Sequence, residues 1–450
     1  MKKILLLGAG RSASSLIKYL CDTATAEGWR LRIGDISVVH LQPLLTSVVC
    51  LDIIIFDVHN ARQREEEVSQ ADLVISLLPA AFHIEVAREC LRQEKHLITA
   101  SYVTPAFVAM QEEAQEKDLT FIMESGLDPG LDHMSAMAVI RRIKAAGGRL
   151  TSFKSYAGGL VAPESDTNPW RYKFTWNPRN VVLAGQDTAK FIRNGEYKYI
   201  PYHQLFRRTE ALYVEGYGDF EGYANRDSLS YREPYGLLDI PNMLRGTLRR
   251  QGYCEAWNVL VQLGLTDDSY ILEGSEHMTY SSYIKSFLPP AASENQSLAE
   301  RISLYIGIPA DGEVMQKLIW LGLFEETPVE MAEATPAQVL EKILKEKWAL
   351  APGDKDMIVM QHLFEYELNG QKRETTSTLV VTGDDEVHTA MAKTVGLPVG
   401  ILAKLLLQNK IEKRGVVIPI YPEFYEPVLE ELKQFGVDFV ERETVKSEAY

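Results

Sequence analysis

Short apolar runs alternate with amphipathic stretches over roughly the first 125 residues of the chain. Segments 4–7, 29–35, 53–56, 71–78, 95–100 and 120–123 are predicted as strands, and 83–92 and 105–116 as helices. Unbroken apolar runs fit strands covered on both faces, and repeated βα units predict a doubly wound parallel sheet. The pattern changes after about residue 135. Segments 150–156 and 173–176 alternate as half-exposed strands do, with Gly158, Gly159 and Pro163 punctuating a loop between them. Segments 357–368 and 373–381 flank Asn369-Gly370, the pair that a type I′ hairpin turn prefers. From about 255 to 350 the pattern is helical only. Ser297 and Glu300 make a capping box, Thr335-Pro336 an N-cap with proline at the first helical position, and Trp320, Leu323 and Phe324 a buried helical face. From about 388 the order is helix, strand (416–420), helix (427–435), strand (437–440).

The first strand runs into Gly8-Ala-Gly10-Arg11-Ser12-Ala13. A G-x-G-x-x-A turn between a strand and a helix suits a dinucleotide pyrophosphate. The glycines allow a tight turn and close approach, Ala13 keeps helix–strand packing close, and the helix start presents free N–H groups. Asp35 ends the second strand, where an acid accepts hydrogen bonds from the adenosine ribose and repels a 2′-phosphate. The alternative is an ordinary strand–helix turn with a surface acid. Ligands in such sheets bind outside the carboxyl ends of the strands. The search therefore narrows to Gly8–Ala13, Asp35, Leu77-Leu78-Pro79, Ser101-Tyr102 and the segment from Ser125 to Asp128. A three-part division follows. Residues 1–130 and about 388–450 form the dinucleotide domain, about 131–254 and 351–387 an α/β substrate domain, and about 255–350 an inserted helical domain.

Composition adds limits. The 450 residues carry a net charge of −15, which disfavours nucleic acid and anionic membrane as partners. The apolar run after Lys2-Lys3 breaks at Arg11, too soon for a signal peptide, and no segment is read as approaching membrane-spanning length. Cys21, Cys50, Cys90 and Cys254 have no metal-like spacing and are expected as reduced thiols in a cytoplasmic protein. Neither G-x-S-x-G nor a phosphate-binding lysine loop is present, and no metal site is expected.

Polar residues at strand ends supply the candidate chemistry. Tyr102 either relays a proton at the crevice rim or packs at a domain edge. Asp128 anchors an ammonium or accepts a proton, whereas Asp132 is read as a helix N-cap and His133 as structural. Arg226, Arg245 and Arg249 are candidate carboxylate clamps, each set against a surface ion pair. Gly246 is expected to let a ligand reach the backbone beside Arg245. Lys173 is a candidate further cation and Arg171 a surface residue.

Ser76-Leu-Leu-Pro79, Ala100-Ser-Tyr-Val-Thr-Pro105, Gly126-Leu-Asp-Pro-Gly-Leu-Asp-His133, Asn225-Arg-Asp-Ser228, Arg245-Gly-Thr-Leu-Arg249 and Met391-Ala-Lys-Thr-Val-Gly396, taken in order, closely resemble the glutamate-forming saccharopine dehydrogenases. The resemblance implies NAD(P)-dependent interconversion of saccharopine with L-glutamate and 2-aminoadipate 6-semialdehyde through an imine, in a homodimer. It implies substrate contacts from Ser101, Tyr102, Asp128, Lys173, Arg226, Arg245, Gly246 and Thr247, with Tyr102 and Asp128 handling protons. Gly8, Gly10, Arg11, Ser12, Ala13, Asp35, Leu77, Leu78 and Pro79 would hold the cofactor. Asp35-Ile36-Ser37 resembles the NAD-type members, so NAD is expected, with NADP as the alternative. Two departures stand out: Ala157 where the family often has cysteine, and Ala80 where it often has tyrosine. They keep open a carboxynorspermidine-type or other imine-forming dehydrogenase, and, in another class, a non-catalytic dinucleotide sensor.

Overall fold

A computed structural model describes residues 1–41, 49–293 and 295–446. The chain forms two compact units, 1–150 with 366–450, and 151–365.

The first unit opens with β1 (Lys3–Leu7), β2 (Arg30–Asp35), β3 (Leu51–Ile55), β4 (Leu73–Ser76), β5 (His96–Thr99) and β6 (Thr120–Ile122). Its core gathers Leu5, Leu7, Val74, Val86, Leu97 and Phe121. The predicted helix 83–92 is observed as His83–Arg92, while 105–116 divides into Pro105–Val108 and Gln111–Glu116.

The second unit begins within β7 (Arg149–Val161). It continues through β8 (Ala189–Arg193), β9 (Glu196–Ile200), β10 (Glu210–Val214), β11 (Gly218–Ala224), β12 (Met243–Arg250) and β13 (Asp356–Leu368). Here the strand order is β10-β11-β12-β7-β13, with β8 paired to β12 and β9. β12 runs parallel to β7 and antiparallel to β11, so the sheet is mixed. Short helices joined by loops fill the stretch between β12 and β13, and the capping boxes at Ser297 and Thr335 are both formed. Leu323 and Phe324 fall beyond the helix Glu313–Trp320 rather than on it.

Two other expectations change in this unit. Gly158 and Gly159 lie inside β7, because a Cβ at Gly158 would come within 2.5 Å of the Leu248 carbonyl oxygen; the glycine serves strand packing, not a loop. Segment 173–176 is not a strand. Phe174 N–H bonds the Trp348 carbonyl, and Tyr172 and Phe174 pack on the Trp348 ring, so burial in an aromatic cluster explains the apolar spacing.

The chain returns to the first unit through Asn369 (φ 51°) and Gly370 (φ 76°), the left-handed pair of a type I′ turn. β14 (Gln371–Thr382), β15 (Gly415–Val417) and β16 (Val440–Val445) follow. β15 joins β6 in parallel and completes the order β15-β6-β5-β4-β1-β2-β3. β16 instead pairs antiparallel with β14, so the last predicted strand starts later and belongs to another sheet. The helix predicted at 427–435 begins earlier and runs Pro422–Leu432. The units divide at 150 and 366 rather than 130 and 388, since the helix Leu131–Ala145 packs on Pro422–Leu432 and β14 pairs with β16.

The helix Ala390–Leu407 has a mean hydropathy of 1.6 and meets the length and composition of a membrane span, contrary to expectation. It is largely buried: Gly396 and Gly400 bring it onto Leu16 and Tyr19 of the helix Ser14–Glu27. A helix enclosed on most sides is apolar all round for that reason alone.

Candidate active site

In the first unit the chain builds β2 and β3 on one side of β1 and β4 to β6 on the other. The order reverses between β1 and β4, where a crevice opens at the carboxyl ends of such strands. Gly8 leaves β1 with φ +95°, and a Cβ there would meet the Leu77 backbone at 2.8 Å. The two loops at the reversal therefore interlock only because residue 8 is glycine. Gly10 is exposed with nothing within 4 Å of its Cβ position, so space remains for a ligand beside the turn. Arg11–Ala13 form a short 3₁₀ turn before the helix Ser14–Glu27, and Ala13 is buried.

Both sides of Ala9 are tethered. Its N–H donates to Asp35 Oδ2 at 2.6 Å, and its carbonyl lies 2.9 Å from His40 Nε2. Asp35 Oδ1 accepts from Ser37 N–H at 3.0 Å. Each carboxylate oxygen keeps a lone pair for a ribose hydroxyl. Arg32, three residues before Asp35 on β2, is the cation that could meet a 2′-phosphate here, and its guanidinium is paired with Glu67 at 2.7 Å. Leu77 and Leu78 are half-buried and Pro79 exposed beside the glycine turn. A crowded cradle at Gly8, open space at Gly10 and a tethered acid at β2 fit a dinucleotide.

The ends of β5 and β6 are joined by polar bonds. Glu124 N–H donates to the Ser101 carbonyl at 3.0 Å, and Val103 N–H to Glu124 Oε1 at 3.0 Å. His133 Nε2 lies 2.8 Å from Glu124 Oε2, with Asp132 Oδ2 3.6 Å from Nδ1, all three side chains buried. Asp132 Oδ1 accepts from Gly130 N–H at 2.6 Å, so the N-cap is Gly130 and Asp132 sits in the first turn. These bonds brace the loop that carries Asp128, which is half-buried. Tyr102 is 44% exposed. Ser101 Oγ lies 2.7 Å from His83 Nε2. No functional role follows from sequence for Glu124, His40 or His83. Their spacing carries no signal, because each meets its partner only through the sheet.

In the second unit β12 turns Arg245, Thr247 and Arg249 to one face. Arg245 is 3% exposed, its guanidinium 4.2 Å from the Tyr231 ring centre, and its N–H donates to Ser228 Oγ. Thr247 Oγ1 donates to Asn225 Oδ1 at 2.7 Å. Arg249 is buried among the rings of Tyr172, Tyr223 and Tyr253. Gly246 faces the other way, and the space beside it is already taken: a Cβ would meet the Tyr223 carbonyl at 2.6 Å and the Tyr156 ring at 2.7 Å. Glycine here admits Tyr156, not a ligand on that side. Lys173 donates to Asp354 Oδ2 at 2.6 Å in a largely buried pair, so its charge is already matched. Arg226 is exposed and meets Asp187 at 3.3 Å.

Two family descriptions match the chain: the saccharopine dehydrogenase NADP binding domain over residues 4–122, and the saccharopine dehydrogenase C-terminal domain over 126–437. The saccharopine dehydrogenase [NADP(+), L-glutamate-forming] of Pyricularia oryzae is 32% identical across 98% of this chain and 99% of its own. The mitochondrial alpha-aminoadipic semialdehyde synthase of Rattus norvegicus is 36% identical across 99% of this chain, which spans 48% of that longer protein. The structure of apo saccharopine dehydrogenase (L-Glu forming) from Saccharomyces cerevisiae superposes with a TM-score of 0.88 at 30% identity, covering 99% of this chain and 100% of that one.

Proposed function

The chain belongs to the saccharopine dehydrogenase family, and from that premise we propose that it interconverts saccharopine with L-glutamate and 2-aminoadipate 6-semialdehyde through an imine. The observation that carries this reading is the cradle at the strand-order reversal, where Gly8 closes on Leu77 and Asp35 holds Ala9. A bound nicotinamide dinucleotide supplies or accepts the hydride. Backbone N–H groups from Gly10 to Ser12 would hold its pyrophosphate, Ala13 keeping the helix close to the turn, and Asp35 would hold its ribose. Saccharopine bears three carboxylates, and the buried Arg245 guanidinium suits one of them. Thr247 and Ser101 add hydroxyls. Asp128 and Tyr102, at the rim of β5 and β6, would move the protons that carbinolamine collapse and imine hydrolysis require.

For the dinucleotide, the names of the matched domain and of the fungal relatives favour NADP. NAD is a second reading, resting on the Asp35 carboxylate where a 2′-phosphate would lie and on Arg32 being paired elsewhere. A cytoplasmic homodimer is part of the proposal through family resemblance, and light scattering and cell fractionation test it.

The purified protein with saccharopine and oxidised dinucleotide should develop reduced-dinucleotide absorbance, and the ratio of kcat/KM for the two dinucleotides decides between them. Absence of turnover, with reduction of a diamine–aldehyde imine instead, would transfer the assignment to the carboxynorspermidine type.

A further inference from the structure

His83 opens the helix that follows β4, and its imidazole is 2% exposed. Ser76 Oγ, on the last residue of β4, lies 2.8 Å from Nδ1. Ser101 Oγ, just past β5, lies 2.7 Å from Nε2, with Thr99 Oγ1 at 3.5 Å. Burial pushes the imidazole down to about 4, so it is neutral at neutral pH. A neutral imidazole donates at one nitrogen and accepts at the other.

The direction of this chain of bonds decides what Ser101 offers outward. With Nε2–H donating to Ser101 Oγ, the serine's own proton is left for a ligand. With Nε2 accepting, that proton is consumed. The Ser101 main chain is already held, its N–H by Thr99 Oγ1 at 3.3 Å and its carbonyl by Glu124 N–H. The hydroxyl torsion is what remains to be set.

Resting on the reading of Ser101 as a substrate residue, we propose that His83 is a positioning residue for a carboxylate-bearing amino-acid substrate. Ser76 donates to Nδ1, Nε2–H donates to Ser101 Oγ, and the Ser101 O–H is thereby left to donate to a substrate carboxylate. The imidazole touches no reacting atom in this scheme; it selects serine as a donor.

A double-mutant cycle on the full chain tests this. His83→Leu should raise KM for saccharopine roughly tenfold or more, with a smaller change in kcat, as for loss of a hydrogen bond to a charged group. His83→Gln, whose amide reaches the Nε2 position, should restore KM to within about threefold. In a Ser101→Ala background, His83→Leu should add almost nothing. Independent losses in the cycle would overturn the proposal, since a merely structural histidine costs the same with or without Ser101. A second readout needs no turnover: ¹⁵N-histidine spectra, with the His83 signals assigned by their loss in His83→Gln, should show the Nε2–H tautomer. The Nδ1–H tautomer would overturn the proposal whatever the activity. An unreactive wild-type protein with the Nε2–H tautomer would count against the enzymatic reading and leave the hydrogen-bond assignment supported.

Discussion

At the scale of single residues, two side chains carry consequences beyond their own contacts. His83 is held near 4, whereas an unfolded histidine titrates near 6.5. Between those values the unfolded chain binds more protons, so stability is lost as pH falls from 6.5 towards 4 and is fully present above 6.5. The contribution at stake is on the order of 3 kcal/mol. Urea midpoints measured across that range should fall more steeply for the wild type than for His83→Gln. Asp35 serves both loop and ligand, because its carboxylate accepts from Ala9 and Ser37 before any ribose arrives. Asp35→Ala should weaken NAD roughly tenfold or more, and NADP less, in dinucleotide titrations. Equal losses would undo the ribose assignment. The carboxylate was legible at this scale because an acid some twenty residues after a glycine turn has a defined place. His83 was not, because its partners at 76 and 101 are neighbours only across paired strands.

At the scale of elements, alternation along β12 separates two jobs that the sequence reading merged. Arg245, Thr247 and Arg249 face one side, while Gly246 faces the Tyr156 ring. Gly246→Ala should therefore destabilise by about 1–3 kcal/mol through overpacking, read from urea unfolding, rather than act by blocking a ligand. The type I′ hairpin was readable in full from Asn369-Gly370 between two alternating runs. Gly370→Ala should cost about 1 kcal/mol, measured in the same way, because φ of 76° strains a residue with a Cβ. Segment 173–176 was misread because alternation there reflects burial in an aromatic cluster. Period-two patterning reports which side chains are covered, not whether the backbone is paired.

At the scale of the whole molecule, the first unit is assembled from both ends of the chain. The C-terminal stretch supplies the helix Ala390–Leu407 against Ser14–Glu27 and the edge strand β15 beside β6. Removing residues 388–450 should abolish dinucleotide binding and the cooperative unfolding transition, followed by titration and circular dichroism. A truncated chain that still bound dinucleotide would show that 1–150 closes its own core. Period, turn chemistry and the glycine motif are local, since each follows from steric limits on a few consecutive residues. They were enough to determine the βα succession, the cradle at Gly8 and the acid at the end of β2. Which polar groups meet is decided only when strands distant in sequence come into register. The join of Ser76 to Ser101 through His83, the bracing of the Asp128 loop by Glu124 and His133, and the pairing of Lys173 with Asp354 rest on that register. A hydrogen bond needs atoms within about 3 Å, and only the folded chain sets that distance.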